Sequence, residues 1–166
     1  MGERKKDGCE IYEAATELNI STSSKLESWS ECFGKECWEV ESNFSGPVYW
    51  GKSDYRILNS SSGIHRLWVD GLGSGSGFLI FREVLDEHEI IHLSVALRGI
   101  GMGSLLLERY LKICQIRKVN SSFLEVSQKN HSARMLYRKV GFEKIGQRNC
   151  YYSDGSDAIL MRKCHG

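Results

Sequence analysis

The chain has 166 residues, of which 41% are hydrophobic and 26% are charged, and both fractions are close to globular averages. They exclude a disordered tail, a collagen-like repeat and a coiled-coil rod, so we expect one folded domain over residues 1–166. The 22 Lys and Arg residues balance 21 Asp and Glu, and a formal charge of +1 does not indicate nucleic acid or an anionic membrane as a partner.

The first 63 residues carry only a weak pattern. Residues 10–15 fit either an edge strand or the start of a helix, and residues 21–38 place apolar side chains three or four positions apart, as in a helix. Residues 49–63 mix Ser, Asn and Asp with few apolar side chains and predict a loop, with room for one short strand. We therefore expect a helical N-terminal part, and disorder in residues 1–8.

Three strands are predicted from residue 64 onward. Residues 64–69 end in Asp70-Gly71, residues 76–85 are rich in Phe, Ile and Val, and residues 89–95 follow a polar break at residues 86–88. Short polar turns between such segments are typical of antiparallel neighbours. The sequence therefore predicts a three-strand antiparallel meander.

The hydrophobic period changes after Gly103, where apolar residues at helical spacing predict a helix that ends near Arg117. The remaining predicted elements are a strand at residues 122–126, a helix at residues 132–140 and a final hairpin of residues 143–152 and 157–163. The predicted order is β-β-β-α-β-α-β-β after the N-terminal part. This order defines an α/β fold of the mixed α+β kind, in which helices pack on a mixed, mostly antiparallel sheet.

The cysteines and the N-terminus bear on the compartment and on metal binding. No apolar run approaches the length of a membrane span and no signal-type stretch follows Met1, so we expect a cytoplasmic protein. The six cysteines are too dispersed for a small disulfide framework and form no CxxC pair, so we expect free, mostly buried thiols. The histidines show no metal-ligand spacing either, and we expect no metal.

A cluster of glycines, Arg98-Gly99-Ile100-Gly101-Met102-Gly103, lies between the third predicted strand and the first predicted helix. Glycines let a backbone approach a ligand closely, and a helix N-terminus carries a partial positive charge, so such a turn can bind a pyrophosphate. The alternative is a tight loop in which Gly only supplies positive φ. A Walker loop is excluded because no Gly-Lys-Ser/Thr follows, and a dinucleotide fingerprint fits poorly because Ser104 stands where its third small residue belongs.

The pattern Arg-x-x-Gly-x-Gly in this position resembles the acetyl-CoA pyrophosphate loop of the GCN5-related N-acetyltransferase (GNAT) superfamily. The C-terminal segments are similar to one branch of it, the ribosomal-protein-alanine N-acetyltransferases (RimI-type). The likeness covers about residues 76–163 and keeps the order and spacing of its elements. The matching segments are residues 123–130, Ala133, Leu136-Tyr137, Gly141-Phe142, residues 148–152 and residues 157–161.

This resemblance implies a function. It implies an enzyme that transfers acetyl from acetyl-CoA, as cosubstrate and without a metal, to a protein N-terminal α-amine by direct attack in a ternary complex. The expected acceptor is the N-terminal alanine of a small-subunit ribosomal protein, and the enzyme is expected to be a monomer or weak dimer without direct nucleic-acid or membrane contacts. A lysine or small-molecule amine acetyltransferase remains an alternative. A non-catalytic acetyl-CoA-binding module is another, because only Ala96 and Leu97 separate Val95 from Arg98, fewer residues than the family usually has.

The resemblance also implies the residues that bind acetyl-CoA. Asn130 is expected both to cap the second predicted helix and to contact the pantetheine of CoA. The full predicted set is Val95, Arg98, Gly99, Ile100, Gly101, Met102, Gly103, Ser104 and Asn130.

Two catalytic residues are predicted. Glu125 interrupts an apolar strand, which fits either a solvent-facing residue or a functional carboxylate, and the matching Glu of the family is the general base, acting through water. Tyr137 fits either a core aromatic residue or, as in the family, the acid near the CoA sulfur. His92 is the alternative base, although an isolated His in an apolar strand is more often structural. Tyr151 and Tyr152 either line the peptide groove or simply belong to a strand.

Overall fold

The fold is that of a computed structural model, which describes residues 18–23, 58, 63–71 and 75–166. The predictions for residues 1–8 and 10–15, and most of those for residues 21–38 and 49–63, lie outside the described residues. Residues 21–23 are described, and for these three residues the helical prediction is wrong. They belong instead to a strand whose partners run from Leu18↔Gly71 to Ser23↔Arg66, so main-chain pairing across the sheet overrides the local helical spacing.

Seven strands form one sheet, in the order β1-β2-β3-β4-β5-β7-β6. The pairs are antiparallel except for the parallel pair of β4 and β5. The strands are β1 Leu18–Ser23, β2 Ile64–Gly71, β3 Gly75–Val84, β4 Glu87–Val95, β5 Ser121–Ser127, β6 Glu143–Arg148 and β7 Ala158–Cys164. The helices are α1 Met102–Arg117 and α2 His131–Lys139.

The predicted order from residue 64 and the mixed fold class are confirmed, and the main differences are the turn before β4 and the end of β6. The predicted polar break includes His88, but His88 is buried within β4, and the turn consists of Leu85 and Asp86. Leu85 has a φ of 57°, in the left-handed region that a tight hairpin turn uses. The final hairpin also differs, because β6 ends at Arg148 rather than at residue 152.

The alternation of side chains along the strands produces two apolar clusters, one on each face of the sheet. The main cluster lies between the sheet and both helices, and α1 contributes Leu106, Leu107 and Tyr110, which are fully buried at helical spacing. On the opposite face, Phe78 and Ile80 of β3 pack with residues of β2 and with Leu58. The main cluster fixes α1 against β2, β3 and β4, and so fixes where that helix begins.

Three cysteines lie among the described residues. Cys114 is free and buried, whereas Cys150 and Cys164 are free and exposed. The expectation of mostly buried thiols is therefore wrong for two of these three residues, because Cys150 lies in a connection and Cys164 ends a strand.

Within the described part of the chain, neither α1 nor α2 has the length and apolar character needed to cross a bilayer.

A polar network lies at the end of α1 that is remote from the glycine turn. The side chain of His88 is fully buried, its Nδ1 lies 3.6 Å from the Sγ of Cys114, and its Nε2 has no hydrogen-bond partner. Ser122 Oγ lies 2.5 Å from the hydroxyl of Tyr110 and 3.7 Å from Cys114 Sγ. The carboxylate of Glu83, 3.9 Å from His88 Nε2, closes the network toward β3. Burial favours the neutral form of this imidazole, although the Glu83 carboxylate partly opposes that effect.

The stability of the fold is expected to fall in acid because of His88. Burial lowers the pKa of His88 to about 4, partly opposed by Glu83 and reinforced by Arg117, His65 and His165. Between pH 6.5 and 4, His88 binds a proton in the unfolded chain but not in the folded chain. The contribution of His88 to the free energy of unfolding is therefore complete above pH 6.5 and falls as the pH decreases, by up to about 3 kcal/mol. Urea unfolding of wild type and His88→Phe at pH 7, 5.5 and 4.5 measures this difference. Parallel pH profiles for the two proteins would contradict the prediction.

Candidate active site

The sheet forks between β4 and β5. Their parallel pairing runs from Glu87↔Ser121 to Ile90↔Leu124, and no later pair joins the two strands, which are described in full. Beyond this point β4 stays paired with β3 up to Val95, while β5 stays paired with β7 up to Ser127. Among the described strands, none pairs with the facing edge of β4 beyond Ile90, and such an edge suits an extended ligand.

The glycine turn lies at the wide end of this fork, between β4 and α1. Gly99 and Gly101 have φ values of 83° and 87°, which favour glycine, and a Cβ added to either would meet no atom of the described residues within 4 Å. Gly101 is the N-cap of α1, no side chain in the described part of the chain caps the helix, and its first turn carries no acidic residue. The positive end of α1 therefore borders open space, and this arrangement fits an anionic group.

The other residues predicted for cosubstrate binding surround this turn. Met102 is buried in the main cluster, so its amide rather than its side chain is available to a ligand. Gly103 lies so close to α2 that a Cβ would be 3.1 Å from Leu136 Cδ2. Val95 packs against the main cluster, whereas Ile100 is exposed. The remaining predicted residues of the turn are Arg98, which is exposed, and Ser104 of the first helical turn.

Asn130 begins α2, after β5 has left the fork. Its Oδ1 accepts hydrogen bonds from the amide of Ala133 at 3.2 Å and the hydroxyl of Ser132 at 3.1 Å. The predicted capping role is therefore confirmed. A contact with pantetheine stays a prediction.

Glu125 is the first residue of β5 beyond its last pair with β4. Its side chain is 26% exposed and projects from the face opposite the main cluster, since Leu124 and Val126 on either side belong to that cluster. Arg148 Nη2 lies 3.1 Å from Glu125 Oε1. The charge of the Glu125 carboxylate raises the pKa of Tyr151. Glu125 is thus a partly exposed, ion-paired carboxylate at the fork.

Tyr137 lies on the other face, buried in the main cluster. Its ring packs edge-on against Phe142 with 5.8 Å between centroids. Burial raises the pKa of Tyr137, and the nearby Tyr152 raises it further, so the phenol keeps its proton at neutral pH. The two predicted catalytic groups therefore lie on opposite faces of the sheet.

The connection of residues 149–157 carries Tyr151 and Tyr152, and neither tyrosine belongs to a strand. Their rings are perpendicular, 5.2 Å apart. Asp157 stabilises the start of the connection by accepting hydrogen bonds from Gln147 Nε2 at 2.7 Å and the Cys150 amide at 2.8 Å. The predicted strand over residues 149–152 is wrong because Cys150 is held in this turn with a φ of 49°.

The tip of the same connection is tied to the turn that follows β5. Ser156 Oγ lies 3.0 Å from Ser127 Oγ, and Lys129 forms an ion pair with Asp154 at 3.1 Å. Both contacts join the connection to the segment that leads into α2. The tyrosines are therefore placed beside the fork by contacts at both ends of their loop.

His92, the alternative general base, lies in β4. The His92 ring packs against Phe78, with 5.5 Å between centroids, in the apolar cluster of the second face. This contact favours the structural interpretation of His92 over the role of general base.

Among the residues that the structure describes, no group of three potential ligands is placed to hold a metal ion.

Arg148 is the residue of the site whose contact the sequence did not predict. It occurs in the segment that resembles the family, but its ion pair with Glu125 joins distant parts of the chain. Its Cζ also lies 5.4 Å from the ring centroid of Tyr151. Only the pairing of β5, β7 and β6 brings these residues together, so the sequence carries no spacing that reports the contact.

The chain is similar in sequence to known acetyltransferases. A sequence model of the acetyltransferase (GNAT) domain matches residues 75–164. A Bacillus subtilis protein, named provisionally as a [ribosomal protein bS18]-alanine N-acetyltransferase, is 32% identical over 129 residues, which cover 75% of this chain and 84% of the relative. The [ribosomal protein bS18]-alanine N-acetyltransferase of Haemophilus influenzae is 34% identical over 94 residues, or 54% of this chain and 64% of that protein.

A solved structure has the same fold over most of the chain. The crystal structure of the ribosomal-protein-S18-alanine N-acetyltransferase from Escherichia coli superposes with a TM-score of 0.75 at 25% sequence identity. The superposition covers 90% of this chain and 94% of that chain.

Proposed function

Because the chain belongs to the GNAT acetyltransferase family, we propose that it transfers an acetyl group from acetyl-CoA to a protein N-terminal α-amine. The N-terminal alanine of a small-subunit ribosomal protein is the acceptor we favour, since the relatives above are named for that reaction. One observation carries the proposal: a fork in the sheet has the uncapped helix N-terminus at its wide end, with Glu125 on one face and Tyr137 on the other. We place this activity in the cytoplasm, in a monomer or weak dimer that acts without nucleic acid.

Acetyl-CoA fits the residues around the glycine turn. The amides of Gly99 to Ser104 offer donors for its pyrophosphate, and the open space at Gly101 leaves room for it. Arg98 can add a charged contact, while Val95 and Asn130 border the path of the pantetheine. When bound, acetyl-CoA supplies the thioester that is attacked.

The placement of Glu125 and Tyr137 suits direct transfer. The amine nitrogen forms a bond with the thioester carbonyl carbon, and the carbon–sulfur bond breaks. Glu125 accepts the amine proton through a water molecule, and Tyr137 donates a proton to the departing thiolate, so CoA leaves as a thiol. The base must reach the attacking nitrogen and the acid must reach the departing sulfur, so the two groups can act from different positions, and these two residues lie on different faces of the sheet.

The chemistry of the acceptor favours an α-amine over a lysine. An α-amino group with a pKa of about 7.8 is roughly 14% free base at pH 7, whereas a lysine with a pKa of about 10.4 is roughly 0.04%. The difference corresponds to about 3.5 kcal/mol in deprotonation free energy. A carboxylate that works through water can therefore deprotonate an α-amine more easily than a lysine. Lysine acetylation remains the alternative within the family.

The proposal is tested with a synthetic N-terminal peptide of bS18 that begins with Ala and contains an internal Lys. After incubation with acetyl-CoA, fragment-ion mass spectrometry is expected to locate the added acetyl group on the N-terminus. The same peptide with a blocked N-terminus is the control and is expected to gain no acetyl group. Modification of Lys alone would replace our acceptor with a side-chain amine. Cofactor binding without CoA release for any amine would instead favour a non-catalytic module.

A further inference from the structure

We propose that Arg148 is a positioning residue of the acetyl transfer and acts through the Glu125 carboxylate. This inference rests on the proposed function, and it assigns a role to a residue outside the predicted catalytic pair. Arg148 ends β6, an edge strand of the sheet, and reaches back across β7 to the fork. Its guanidinium contacts Glu125 Oε1 at 3.1 Å and lies over the ring of Tyr151.

The three side chains form one closed group. Arg148 binds the carboxylate, its guanidinium lies 5.4 Å from the centroid of the Tyr151 ring, and the charge of the carboxylate acts on the Tyr151 phenol. A guanidinium that is itself supported by an aromatic ring restricts a carboxylate more than an unsupported cation does. Glu125 is therefore held at one orientation beside the fork, even though it is partly exposed.

Stability gives a weaker explanation for this ion pair. The Arg148 side chain is 55% exposed, and exposed ion pairs contribute little to folding free energy. The strand that carries Arg148 is exposed at almost every position. Orientation of the general base is a role that an exposed pair can fill, since a misplaced catalytic group lowers the rate more than it lowers stability.

A matched arginine on the same face provides the control. Arg162 of β7 lies over the ring of Phe123, 5.5 Å from its centroid, and donates hydrogen bonds to Ser121 Oγ at 2.8 and 3.2 Å. Phe123 and Glu125 project from the same face of β5. Arg162 thus has a comparable aromatic and polar environment but contacts other partners.

The test is a double-mutant cycle of Arg148 and Glu125. The acceptor is the bS18 peptide, and the rate is measured as release of the CoA thiol. Arg148→Gln is expected to lower kcat about tenfold and to change KM for the peptide by less than about twofold, because orientation affects the reacting state more than binding. In a Glu125→Gln background, Arg148→Gln is expected to cause no further loss. Arg162→Gln is expected to keep wild-type kcat. An equal loss in both backgrounds, or a loss confined to KM, would overturn the proposal.

A second measurement reads the contact without any acceptor. In protein labelled with ¹⁵N-arginine, the Nη–H signal of Arg148 is identified by its absence in Arg148→Gln. Glu125→Gln is expected to shift this signal and to accelerate its exchange with water, whereas Arg162→Gln is expected to leave it unchanged. A signal that ignores Glu125→Gln would overturn the positioning role. If the wild-type protein acetylates no amine, the proposed function fails, and this measurement still decides whether Arg148 holds Glu125.

Discussion

Glu125→Gln is expected to lower kcat/KM by about 10²- to 10³-fold, the range typical for loss of a general base. Gln has nearly the same shape as Glu and still accepts a hydrogen bond from Arg148, but its amide oxygen does not take a proton at neutral pH. The loss should therefore appear in turnover and leave the melting temperature within a few degrees of wild type. Thiol release at a series of peptide concentrations measures the effect.

The matched control for this substitution is Glu143→Gln. Glu143 is exposed at the start of β6, away from the fork, and its variant is expected to keep wild-type turnover. If Glu125→Gln also kept wild-type turnover with a good acceptor, the assignment of the base would be wrong. His92 would then be the next residue to replace, despite its packing on Phe78.

Gly101→Asp is expected to raise KM for acetyl-CoA about 100-fold. A unit charge placed about 5 Å from another of the same sign costs about 3 kcal/mol at an effective dielectric constant of 20. The new carboxylate would lie at the N-cap of α1, in space that is now open, where the pyrophosphate is proposed to bind. Initial rates at a series of acetyl-CoA concentrations, with the peptide held constant, give the change in KM.

Gly101→Asn separates charge from backbone strain in the same experiment. Both side chains tolerate a φ of 87° better than other non-glycine residues do, and both can cap a helix. The Asn variant is expected to raise KM by less than about tenfold, since it adds bulk without charge. The Asp variant should be at least as stable as the Asn variant, because an acidic N-cap favours the helix dipole. Equal KM values for the two variants would contradict an anion site at this turn.

The order of strands and helices was predictable because each element buries one face, and the burial repeats at the period of that element. The period of α1 is visible in the sequence as Leu106, Leu107 and Tyr110, all of which are fully buried. The glycine turn was predictable for a similar local reason, since only glycine adopts the φ values of residues 99 and 101 without strain.

The features that the sequence did not predict depend on contacts between distant residues. His88 follows two acidic residues and so fits a polar turn, but its partner Cys114 lies on a helix and holds it inside β4. Tyr151 and Tyr152 have high strand propensity, and yet Asp157 folds the segment before them into a turn. The ion pair of Arg148 and Glu125 likewise requires β7 to lie between their strands.

The fork in the sheet also bears on inhibition. Since Glu125 and Tyr137 lie on opposite faces, a ligand that engages both must pass through the gap between β4 and β5. A conjugate that joins a peptide N-terminus covalently to the sulfur of CoA has this threaded shape, and it combines two binding energies in one molecule. Such a conjugate should compete with both substrates at once, whereas a blocker confined to one face should compete with only one of them.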